Sequence, residues 1–89
     1  MYPKYQGFDV KPSRTADREM VDISIYLDDV LKVLEHGEMG SRSKRKSGTI
    51  EKNLRIRGRM IKVVIVESIT RWNNEKVWLI THVGETREK

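Results

Sequence analysis

"GTIEKNLRIRGRMIKVVIVE", residues 48–67, decides the fold. Ile50, Leu54 and Ile56 alternate with Glu51, Asn53, Arg55 and Arg57, so residues 49–57 read as a half-buried strand in which Lys52 alone breaks the apolar series. After Gly58, the stretch Met60 to Glu67 is rich in β-branched residues, with Ile61, Val63 and Ile65 on one face and Lys62, Val64 and Val66 on the other. If Gly58-Arg59 is the centre of a type II′ turn, which takes Gly first, Ile56 lies opposite Ile61 and Leu54 opposite Val63. A slip of one residue would turn the apolar set of one strand to the opposite face from that of the other and lose the match. The same register sets Arg55 against Lys62, and like charges facing each other across a strand pair cost a few tenths to about 1 kcal/mol. An anion is therefore expected there, either an internal carboxylate or an external phosphate.

The charge around this hairpin is one-sided. From Ser41 to Lys62 there are nine basic residues against Glu51 alone, a local charge of +8, while nine basic and twelve acidic residues leave −3 elsewhere in a chain of net +5. A concentration of one sign attracts polyanions, nucleic acid first. Arg55, Arg57, Arg59 and Lys62 on the hairpin, with Arg42, Lys44, Arg45 and Lys46 in the preceding loop, form the expected nucleic-acid-binding set. The competing reading is a solvated basic face with no ligand, although a surface built for solubility would mix the two signs.

On the N-terminal side, Pro12-Ser13 reads as a helix start, with Ser13 as N-cap and Ala16, Met20 and Ile23 forming an apolar stripe over a short helix, Arg14 to Val21. A second helix begins at Ser24, carries Leu27, Val30, Leu31 and Leu34 on one face, and closes at His36-Gly37 with Gly37 in the left-handed position. The pattern allows either two helices or one bent helix. Val77 to Val83 is a third strand. The expected architecture is α+β: two N-terminal helices packed on one face of a three-stranded antiparallel meander, in the order ααβββ. Residues 13–84 would form a single domain, between a flexible N-terminal tail (1–12) and a flexible C-terminal tail (85–89).

The segments "ISIYLDDVLKVLEHGE", "GTIEKNLRIRGRMIKVVIVE" and "VWLITHVGE" resemble the family of domain of unknown function 4258, grouped with the RelE, ParE and BrnT type toxins. The likeness covers residues 13 to 84 and rests on Ile23-Ser24, Gly37, Arg57-Gly58 and Ile80-Thr81. It implies the same α+β arrangement but not an activity; toxin-type members of the grouping act on RNA or on a gyrase and usually pair with an antitoxin. Many relatives open the first helix with a His-Ala pair followed by Arg, whereas this chain has Thr15-Ala16 and Arg18. The missing His is the family's most obvious proton-transfer group.

Chemistry-bearing groups are otherwise sparse. His82 is the weak catalytic candidate for a ribonuclease-like activity, since an imidazole titrates where acid–base work is done, but no partner is identifiable from the sequence. His36 suits a helix C-terminus. Two His and no Cys give no metal spacing, no cofactor motif is present, and no disulfide can form. No apolar run reaches the roughly 20 residues that span a bilayer, and MYPKYQGF does not read as a signal peptide, so a cytoplasmic protein without membrane contact is expected. Trp78, in an apolar strand, reads as core; Trp72, in a polar connection, reads as an exposed contact. The leading expectation is a small toxin-like protein binding RNA or another polyanion through the basic hairpin and loop. The alternative is a non-catalytic interaction module, docking an antitoxin-like acidic partner or a second copy of itself.

Overall fold

The computed structural model describes residues 2–40 and 48–86. In chain order the elements are β1 (Lys4–Tyr5), β2 (Phe8–Pro12), α1 (Arg14–Ile23), α2 (Leu27–His36), β3 (Glu38–Met39), β4 (Thr49–Ile56), β5 (Arg59–Ile69) and β6 (Lys76–Thr86). All six strands belong to one mixed sheet, ordered β1-β2-β6-β5-β4-β3 and curled into a half-barrel. The expected three-strand ααβββ meander is therefore corrected. Strands β4, β5 and β6 are antiparallel neighbours, but β2 adds to β6 in parallel, pairing Val10 with Trp78, and β1 and β3 extend the two edges. Residues 4–12, expected as tail, form the β1–β2 hairpin around Gln6 and Gly7, both at positive φ. At the other end β6 runs on to Thr86, while residues 87–89 lie outside the described residues.

The helices fill the hollow of the curl. Ala16 and Met20 of α1 and Val30, Leu31, Val33 and Leu34 of α2 pack with Val10, Ile56, Ile61, Val63, Ile65, Trp78, Ile80 and Val83 in one apolar core. Two helices form, not one bent helix: Ser24 adopts a left-handed conformation and its N–H closes α1 on the Met20 and Val21 carbonyls. Tyr26, not Ser24, is the N-cap of α2. Gly37 has φ −78° and so is not the left-handed cap. It is required for space instead, because a Cβ there would lie 2.8 Å from the Asn53 carbonyl oxygen of β4 and closer still to that of Val33.

The central hairpin uses a different turn from the one the glycine suggests. Ile56 pairs with Arg59, Leu54 with Ile61 and Arg55 with Met60, so Arg57-Gly58 forms the two-residue connection, both at positive φ (48° and 79°), as a type I′ turn requires. The register is displaced by two residues from the expected one. Because side chains repeat every two residues, the inward set is unchanged while every cross-strand pair is replaced. Arg55 does not face Lys62: Lys62 lies between Asn53 and Gly84.

Strand β6 contains a bulge. Val64 pairs with His82 but Ile65 pairs with Ile80, leaving Thr81 extra, its hydroxyl donating to the Val64 carbonyl. The bulge resets the alternation so that Trp78, Ile80 and Val83 all point inward and His82 points outward.

Candidate functional site

The eight basic residues of the expected binding set divide into three groups. Arg42, Lys44, Arg45 and Lys46 lie outside the described residues. Arg57 and Arg59 are turned to the helices. Arg55 and Lys62 remain on the outer face.

Arg57 lies across the start of α2. Both its terminal nitrogens donate to the Asp29 carboxylate at 3.3 Å, and that carboxylate also accepts the Tyr26 backbone N–H at 3.1 Å, closing the helix N-terminus from position N3. The Asp29 side chain is only 6% exposed, whereas that of Arg57 is 57% exposed. Burial pushes the Asp29 pKa up, but the hydrogen bonds from Arg57 and the Tyr26 amide, with the charges of Arg57 and Lys32, outweigh it and hold the group below its ordinary value. Asp29 is thus the internal carboxylate that the basic hairpin called for. Its partner is the turn residue and not the strand pair.

Arg59 Nη1 donates to the Ile23 carbonyl at 2.7 Å and lies 3.8 Å from Glu85, which places a cation on the last residue of α1. Lys52 does the same for α2: its Nζ donates to the Leu34 carbonyl at 2.7 Å and sits 5.6 Å from the Tyr5 ring centroid. The lysine that interrupts the apolar face of β4 is there because the helix above it ends in unpaired carbonyls. Three cations of the 49–62 stretch therefore tie both helices to the sheet.

The outer face carries a second arrangement. Lys62 is central, with Glu51 and Arg55 at its diagonal positions on β4 and His82 and Thr86 at those on β6, each roughly 7–8 Å away by sheet geometry; the Glu51 carboxylate is buried. Gly84, directly opposite Lys62, leaves open space where a side chain would stand. Lys62 has no carboxylate partner among the described residues, and Arg55 is exposed. Val64, on the same outer face, is only 2% exposed. At the rim, the His82 Nδ1 lies 3.6 Å from Glu19 Oε1, which also accepts the Val83 N–H at 3.1 Å. Glu19 lies on α1, far from His82 in sequence, and the sequence pattern gives no sign of the contact. A carboxylate beside one imidazole nitrogen can hold a tautomer, but nothing described here places a nucleophile against the other.

Among the described residues there is no group of three or more His, Cys, Asp or Glu side chains able to hold a metal, and no helix is long and apolar enough to cross a membrane. No family model, curated protein or solved structure matches this chain. The functional reading rests on the chain's own geometry.

Proposed function

We propose that this protein is a binding module for a polyanion, single-stranded RNA first, which lies on the outer face of β4, β5 and β6 across Arg55 and Lys62 with His82 at its margin. The observation that carries the reading is Lys62: a half-buried cation on the outer sheet face, beside the space left by Gly84, with no carboxylate partner among the described residues. A phosphate supplies what Glu85 and Asp29 supply to Arg59 and Arg57. The segment bearing Arg42, Lys44, Arg45 and Lys46 is inserted between Gly40, whose N–H donates to Glu51 of β4, and Gly48, next to the first residue of β4. Arg57 and Arg59 do not belong to the binding set, because their side chains are turned to the helix ends at Asp29 and Ile23.

Fluorescence anisotropy with a labelled unstructured RNA, titrated over salt, tests the proposal. Each phosphate contact contributes about 0.7 to the slope of log K against log salt for a single strand, so Arg55→Glu with Lys62→Glu should lower the slope by about 1.4 and weaken binding. Absence of binding at low salt, or an unchanged slope in the double variant, refutes it.

A further inference from the structure

The β5–β6 connection presents Trp72 at 95% exposure. The connection is internally ordered: the Thr70 hydroxyl donates to Asn73 Oδ1, which also accepts the Glu75 N–H, and Thr70 and Glu75 are joined through their backbones at 2.9 Å. An indole held out on a fixed turn meets a partner with little ordering cost. At the other end of the molecule, the elbow between α1 and α2 encloses an apolar groove of about 360 Å³, walled by Met20, Val21, Tyr26 and Leu27, with Asp17 on its rim. Val21 and Tyr26 stand 72% and 70% exposed there. The elbow lies by the start of β5, where Arg59 holds Ile23, and Trp72 lies beyond its end; eleven residues at about 3.3 Å each separate the two by more than 30 Å. Trp72 cannot reach its own groove.

We propose that the occupant of this groove is Trp72 of a second copy, in a two-fold dimer in which two chains lie side by side and antiparallel, each inserting its indole into the other's elbow. Charge supports the match, since Arg71, exposed and without an ion-pair partner among the described residues, arrives with Trp72 at a groove rimmed by Asp17. A knob at one end and a groove at the other satisfy each other twice under two-fold symmetry and leave no open contact to propagate. Two indoles bury only a few hundred Å², well below a standard interface, so the dimer is weak and concentration-dependent.

Sedimentation equilibrium of the full chain without nucleic acid, up to high micromolar concentration, tests it. The mass should rise toward that of a dimer and stop there, and Trp72→Ala should stay monomeric. Arg71→Asp and Asp17→Arg should each weaken association, and the two together should restore it; since the double variant also carries any helix damage from Asp17→Arg, restoration cannot come from the fold. A monomeric wild-type chain, dimerisation by Trp72→Ala, or failure of the charge exchange to restore pairing overturns the proposal. None of these outcomes depends on RNA binding.

Discussion

Replacing Arg57 by Ala should destabilise the fold without touching the proposed binding face. The magnitude follows from the asymmetry of the pair. Stranding one partner of a fully buried ion pair costs about 3–5 kcal/mol, whereas an exposed pair contributes about 0–1 kcal/mol. Asp29 is buried but Arg57 is more than half exposed, and the Tyr26 N–H continues to serve the carboxylate, so the loss should be about 1–2 kcal/mol. For a domain of this size that lowers Tm by roughly 4–16 °C, readable by circular dichroism. Arg57→Asn loses the same ion pair but places a residue suited to positive φ in the type I′ turn, and should lose less than Arg57→Ala. The pH dependence has a definite sign. The folded pKa of Asp29 lies below its unfolded value, so the stabilisation is full above the unfolded pKa of about 3.9 and is lost as pH falls through the folded one. The gap between wild type and Arg57→Ala should be flat from about pH 5 to 8 and close below about pH 4. A loss under about 0.5 kcal/mol, together with weakened RNA binding, would show that Arg57 contacts ligand and not Asp29.

Two further substitutions test the anchoring of the helices. Lys52→Met keeps the stem that lies near Tyr5 but leaves the Leu34 carbonyl without its donor; a loss of about 1–2 kcal/mol in urea unfolding is expected, and an unchanged midpoint would contradict the capping role. Gly37→Ala forces a methyl group against two backbone carbonyls and should cost about 1–3 kcal/mol, whereas a neutral or stabilising result would mean that β4 does not approach α2 so closely.

The parts of this fold that were legible in the sequence are those set by local period. The hairpin of β4 and β5 and the stripes of α1 and α2 announce themselves because every second, or every third and fourth, residue is apolar. Register did not, because a shift of two residues preserves both faces; the choice of Arg57 over Arg59 as a turn residue depends on Asp29, which local turn chemistry does not see. β2 gave no signal because only Val10 of Phe8–Pro12 is buried, and its partner is a parallel strand some 70 residues away. Lys52 looked like an interruption because its reason, a helix end, lies outside the strand. Of the candidate site, local sequence correctly concentrated attention on one basic stretch. It could not sort that stretch into inward and outward cations, since Arg57 and Arg59 turn inward through contacts with residues 28 and 36 positions away.

The central claim is that the hairpin's charge is divided, with Arg57, Arg59 and Lys52 holding the helices and Arg55 and Lys62 facing ligand. Amide chemical-shift mapping by NMR during titration with a short single-stranded RNA tests that division directly. The account predicts shifts centred on Asn53, Arg55, Lys62, His82 and Gly84, with the amides of Ile23, Tyr26 and Asp29 unmoved. Shifts centred on the Arg57-Gly58 turn and the α1–α2 elbow, with the outer face silent, would contradict it.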